Sequence, residues 1–254
     1  MRGFLAFTKK ELLEGLRTYR CLILLAVFFL FGMVSPLLAK LMPEIFAGME
    51  LQGMQIILPE PTVMDAYGQF FKNLTQMGIL VLLLVFGGML SGELSRGTLV
   101  TILAKGLPRH MIIISKFMSA VLLWTLAYGM AVVVNYGYTE YLFEKTAVSN
   151  LGFAVFCLWL FGCLILALIL LSSTIASGNF GGLILSACSV VLMLIINVFP
   201  SMEKYNPISL SSRNVAILSG EVNIADMLPS VIVTGCLLLG STLLSVMLFQ
   251  RKKL

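Results

Sequence analysis

The sequence predicts an all-α integral membrane protein with six transmembrane helices, cytoplasmic N- and C-termini and an N-terminal amphipathic interfacial helix. Three observations predict it. Six apolar stretches, at about residues 21–38, 74–90, 112–134, 151–172, 180–199 and 228–249, each approach the roughly 20 residues that a helix needs to cross about 30 Å of hydrocarbon. None of them carries an ionisable side chain near its middle. With a mean hydropathy of +1.01 and only 11% charged residues, nothing is left over for a soluble domain, so residues 1–254 are expected to form a single membrane domain.

Charge fixes the expected orientation. With the N-terminus inside, Arg2, Lys9, Lys10, Arg17 and Arg20 precede span one. Arg96, Lys105, Arg109 and Lys116 join spans two and three, and Arg251, Lys252 and Lys253 close the chain. That is 12 of the 17 basic residues, against three acids (Glu11, Glu14, Glu93) on the same side. The other side holds the remaining five basic residues and nine carboxylates. The net charge of +5 thus follows the positive-inside rule and forms no nucleic-acid-binding patch.

Taken in order, residues 3–20 place Leu5, Leu12, Leu16 and Tyr19 at helical spacing opposite Lys9, Lys10, Glu14 and Arg17, the pattern of a helix lying flat in the cytoplasmic interface. Thr8 and Glu11 fit a capping box. Mixed charge and the lack of a small-residue cleavage site argue against a cleavable signal peptide. Span one ends at Ser35-Pro36, where proline kinks or stops a helix. An outer segment with Pro43, Pro59, Pro61 and the acids Glu44, Glu50, Glu60 and Asp65 follows, and a short helix over 65–71 leads into span two. Residues 92–103 form a short cytoplasmic helix that Gly106 and Pro108 end. Span three rises to an aromatic belt of Tyr136, Tyr138 and Tyr141. Spans four and five form a tight hairpin through 173–179, and Gly178, Gly182 and Ser186 give span five a smooth strip for helix contact. A second outer segment, 200–227, precedes span six.

Few residues carry chemistry. His110 is the single histidine and lies in the cytoplasmic connection; no His-Glu-x-x-His or Gly-x-x-x-x-Gly-Lys-Ser/Thr occurs, which excludes a membrane metalloprotease and a P-loop in this chain. The cysteines Cys21, Cys157, Cys163, Cys188 and Cys236 fall in or at the ends of spans and read as packing residues, not as a disulfide framework. Polar residues at membrane depth, Thr125, Asn135, Ser186, Ser189 and Asn197, either face a pathway or satisfy a neighbouring helix, and Gly182 reads as a helix-packing position.

The segment Gly92-Glu-Leu-Ser-Arg-Gly-Thr-Leu99, then Leu103-Ala-Lys-Gly-Leu-Pro-Arg109 and Ser115-Lys116, resembles the permeases of ATP-binding-cassette (ABC) exporters, type-2 permease family. The start Phe7-Thr-Lys-Lys-Glu-Leu12, with Arg17 and Arg20, is similar to that family's elbow helix. Asn206-Pro-Ile-Ser-Leu210 and Leu218-Ser-Gly-Glu-Val222 also look like it, so that the likeness covers the whole chain. The resemblance implies a plasma-membrane protein of a bacterial cell, in which two permeases, identical or homologous, form the pathway above two cytoplasmic ATPase subunits. It implies that this chain is no enzyme and binds no cofactor, with ATP and Mg bound by the partner. Residues 92–103 would be the coupling helix, with Glu93 and Arg96 as polar contacts, Leu94, Leu99 and Ile102 as apolar knobs and Gly97-Thr98 as its turn. A simple turn held by a Glu93–Arg96 pair is the plainer alternative. The long first outer loop resembles permeases that export peptides, antimicrobials or related amphiphiles, and export is preferred because nothing suggests a dock for a binding protein. Two other readings stay open: an energy-independent channel or facilitator, and an ATPase-binding scaffold or immunity subunit without its own pathway.

Overall fold

A computed structural model describes residues 2–47, 60–104, 106–144, 148–176 and 178–252; the part of the first outer segment holding Glu50 and Pro59 lies outside them, as does Lys253. The described residues contain no strand, and six helices are long and apolar enough to cross a membrane. The helices in chain order are α1 (Arg2–Arg17), α2 (Arg20–Ala47), α3 (Val63–Asn73), α4 (Ile79–Phe86), α5 (Ser91–Ser95), α6 (Thr98–Ala104), α7 (Arg109–Leu142), α8 (Leu151–Ile175), α9 (Asn179–Asn197), α10 (Pro200–Glu203), α11 (Ser209–Ser212), α12 (Asn214–Leu218) and α13 (Ile224–Arg251). The spans are α2, the run from α3 through α5, then α7, α8, α9 and α13.

Burial orders the bundle. The apolar stretch of α8 is 67% buried, while those of α9 and α13 are 11% and 17% buried. α8 is therefore the central post, with α7, α9 and α13 around it and α2 packed on α7. Small residues let the backbones close: a Cβ on Gly162 of α8 would overlap the Trp124 indole of α7. That indole stacks on Tyr128 at 4.9 Å, meets Phe28 edge-on at 5.4 Å and donates Nε1–H to the Trp159 carbonyl at 3.1 Å. Aromatic pairs of this kind contribute about 0.5–1.5 kcal/mol each beyond their area.

Two expectations, at Pro36 and at Thr8, are corrected. Span one does not end at Pro36; α2 runs through Pro36 and Pro43 to Ala47. The missing Pro36 N–H leaves the Gly32 carbonyl without its intrahelical donor, and Asn135 of α7 supplies a long replacement at 3.5 Å. The interfacial helix expected over 3–20 is α1, but the Thr8–Glu11 capping box does not form: Thr8 donates back to the Phe4 carbonyl, and Glu11 serves another partner. Span two begins earlier than its apolar stretch. Thr62 and Asp65 form a capping box that starts α3, and a π-helical turn, Leu74–Gly78, carries it into α4.

The second outer segment folds back into the bundle. Leu210, Ile217 and Leu218 are fully or almost fully buried, α11 and α12 pack on α8, and an Arg213–Glu203 ion pair at 2.6 Å closes the turn. Both ends of the described chain, α1 and the last turn of α13, meet α5 and the start of α7 at one end of the bundle, the basic end.

Candidate functional site

The single helix expected over 92–103 is two helices. α5 and α6 are separated at Gly97, whose φ of +70° lies in the left-handed region that favours glycine, and Gly106 at φ +84° ends the segment. α5 is held from behind by α8: the Leu90 and Ser91 N–H groups donate to Ser173 Oγ at 3.0 and 2.8 Å, which satisfies donors that the start of a helix leaves free. The strip of small residues on α9 meets span two of the same chain, because a Cβ on Gly182 would fall on the Gly87 carbonyl oxygen.

Beneath α5 lies a charge cluster. Lys116, two turns inside α7, is 2% exposed, and its Nζ donates to Glu93 Oε1 at 2.6 Å and Glu11 Oε2 at 2.8 Å. One ammonium group thus ties together α1, α5 and α7. Lys10 adds a second, bonded to Glu11 at 3.0 Å and paired with Glu14, with Glu93 at 3.9 Å. Burial works against the Lys10 charge, but its hydrogen bond to Glu14 and the fields of Glu11 and Glu93 outweigh that and raise its pKa above the ordinary lysine value. Burial likewise opposes the Glu14 charge, and the Lys10 bond, with the fields of Lys10, Lys116 and Arg20, holds its carboxyl below the usual glutamate range. A buried pair of this kind is needed less for net stability than to avoid an unpaired charge, whose exposure to a low dielectric costs about 3–5 kcal/mol. The carboxylates of Glu11, Glu14 and Glu93 approach within 4.8 Å of one another, a spacing that suits a cation, but two lysine ammonium groups already sit among them.

The predicted coupling residues divide by direction. Glu93 turns inward to Lys116, so the Glu93–Arg96 surface pair does not form. Leu99 is fully buried and Leu94 half-buried against the core. Arg96, Gly97 and Thr98 are exposed, and Thr98 Oγ1 donates back to the Glu93 carbonyl at 3.2 Å. Ile102 lies on α6, its side chain outside the described residues. Of the membrane-depth polar residues, Thr125 accepts from Trp159 Nε1 at 3.0 Å and Asn135 serves Gly32, both helix to helix. Ser186 and Ser189 bond to carbonyls of their own helix, and Asn197, at the end of α9, has a buried Oδ1 with no donor among the described residues.

Sequence reasoning did not single out Lys116 as the hub. Its signal was present: a lysine at the fifth residue of the apolar stretch 112–134 must find carboxylates, and Glu11 and Glu93 are among the acids expected on that side.

The sequence model of the ABC-2 family transporter proteins matches residues 5–254. An uncharacterized transmembrane protein of Bacillus subtilis (strain 168), YxlG, is similar at 23% identity over 163 residues, a stretch covering 63% of each chain. The match therefore spans less than two thirds of that relative's length.

Proposed function

The chain belongs to the ABC-2 transporter family, and from that premise we propose that it is the permease subunit of an ATP-driven exporter. Two permeases, identical or homologous, enclose the pathway; two cytoplasmic ATPase subunits bind ATP and Mg and dock on the segment 92–103. The basic end then lies in the cytoplasm, as its excess of lysine and arginine favours. The substrate class is an amphiphile such as a peptide or antimicrobial.

The observation that carries this reading is the exposed Arg96-Gly97-Thr98 turn mounted on a rigid base. Leu99 anchors it in the core, Ser173 holds the start of α5, and Glu93 fixes it to Lys116. A push on the turn is therefore delivered to α7 through Lys116 and to α8 through Ser173, since packed elements shift as units and do not deform continuously. Glu93 acts as the strut, Leu94 and Leu99 as the anchor, and Arg96 and Thr98 as the groups offered to the partner, with Ile102 on the second arm.

The test is purification of the tagged chain from its native host in mild detergent. A stoichiometric ATPase with Walker motifs is expected, lost in Arg96→Ala/Thr98→Ala with unchanged melting temperature. A clean preparation without an ATPase would overturn the reading in favour of a facilitator. An ATPase without transport in reconstituted vesicles would leave a scaffold.

A further inference from the structure

A groove of about 250 Å³ runs up the outside of the basic end, between the start of α2, span two and the first turns of α9. Its lower wall is apolar: Leu84 and Val85 from span two, Leu183 and Phe180 from α9, the last 79% exposed. Two arginines, Arg20 and Arg96, also line it. Of the carboxylates that line it, Glu14 pairs with Lys10 and also lies in the field of Arg20, and Glu93 gives Oε1 to Lys116; neither arginine comes within ion-pair distance of a carboxylate among the described residues. α9 opens here at Gly178, φ +88°, with no side-chain cap, so its first-turn N–H groups add positive potential at the same height.

We propose that this groove binds one anionic glycerophospholipid of the leaflet at the basic end. The occupant follows from position and charge. A six-span protein carries the groove at the headgroup level, and Leu84 lies on α4, in the apolar part of the span that ends just before Arg96. An acyl chain fits along Leu84, Val85, Leu183 and Phe180, while the phosphate sits between Arg20 and Arg96. Guanidinium presents several N–H donors in a planar fork suited to phosphate oxygens. A zwitterionic headgroup would set its own cation against two arginines. The bound lipid would bridge the α1–α2 junction to the turn after α5, so the anionic content of the membrane sets how firmly that turn is held. This inference rests on the groove and on the membrane class of the protein, not on the presence of an ATPase.

The test uses the full chain with Phe180→Trp in nanodiscs of phosphatidylcholine containing a minor fraction of phosphatidylglycerol, with bromine on the acyl chains of one lipid or the other. Quenching of the new tryptophan is measured against the unsubstituted chain, whose Trp124 and Trp159 supply the background. Brominated phosphatidylglycerol is expected to quench with a relative binding constant about tenfold above that of phosphatidylcholine, from two arginines near the surface. The preference should fall to parity in Arg20→Gln/Arg96→Gln and persist in Arg20→Lys/Arg96→Lys. Equal quenching by the two lipids in the arginine-containing protein would overturn the proposal, and so would release of the quenching by inorganic phosphate, which would identify a free-anion site. Because the ratio in the arginine-containing protein decides by itself, the test stands even where the glutamine variant does not fold.

Discussion

Lys116 Nζ and Glu93 Oε1 lie 2.6 Å apart, joining the end of span two to the first turns of span three across a site where the lysine is 2% exposed. The pair has a third member, Glu11 of α1 at 2.8 Å, so three helices converge on one charge. Removing the charge is far costlier than its worth as a surface pair. Lys116→Met leaves Glu11 and Glu93, both at most 15% exposed, with only the half-exposed Lys10 as counter-ion, and should destabilise by about 3 kcal/mol. Adding Glu11→Gln and Glu93→Gln should restore most of that loss. Denaturation of the reconstituted protein measures both; a loss below about 1 kcal/mol for Lys116→Met would mean that water reaches the cluster.

The docking of α1 should have a flat pH profile with two edges. The Lys10 pKa is raised on folding, so its contribution is complete below the ordinary lysine value of 10.5 and is lost as pH rises through the higher folded value. Glu14 is lowered, so its contribution is complete above 4.5 and is lost as pH falls through the lower folded value. Protease access to α1, measured across pH, should stay constant between those limits and increase outside them. Lys10→Gln should remove the alkaline edge. A step near neutral pH would refute the assignment, since neither group titrates there.

The six spans, the α8–α9 hairpin at Gly178 and the lead-in helix to span two were legible because each depends on residues close in sequence. What was not legible depends on partners far along the chain. Pro36 reads as a helix stop, and Asn135, 103 residues from Gly32, relieves the Gly32 carbonyl as α2 continues. Lys116 reads as a basic residue of a connection until Glu11, 105 residues away, is seen to meet it. The break of the coupling segment at Gly97 was open to local reading, because a glycine before a β-branched residue is a natural site for a positive φ. The burial of α11 and α12 was hidden for another reason: Leu210, Ile217 and Leu218 lie in elements too short to show a period.

The Pro36–Asn135 relation predicts non-additivity. Asn135→Ala alone should cost about 1 kcal/mol, because it removes a side-chain donor that reaches the Gly32 carbonyl. Pro36→Ala restores the intrahelical N–H, so in that background Asn135→Ala should cost less by at least about 0.5 kcal/mol. A double-mutant cycle by denaturation gives the coupling. Strict additivity would show that the 3.5 Å contact contributes nothing.

Arg109 should control the end of α13. Its Nη1 lies 3.3, 3.0 and 2.7 Å from the carbonyl oxygens of Phe249, Gln250 and Lys252, the acceptors that the end of a helix leaves unpaired. The same helix end is tied to α8, because Lys252 Nζ donates to the Thr174 carbonyl at 2.7 Å. A charge-assisted donor to carbonyls at the negative end of a helix dipole is worth about 1–2 kcal/mol. Arg109→Ala should therefore raise hydrogen exchange in the last turn of α13 by roughly five- to thirtyfold while leaving the centre of α8 protected. Lysine at 109 keeps the charge but not the planar fork, and should recover only part of the protection. Lys252→Met separates the two contributions: it frees Thr174 without touching Arg109, so it should loosen the contact to α8 and leave the final turn of α13 largely protected. Equal exchange in Arg109→Ala and the unsubstituted chain would show that backbone bonds alone hold that turn, and that the start of α7 and the end of α13 are neighbours without being coupled.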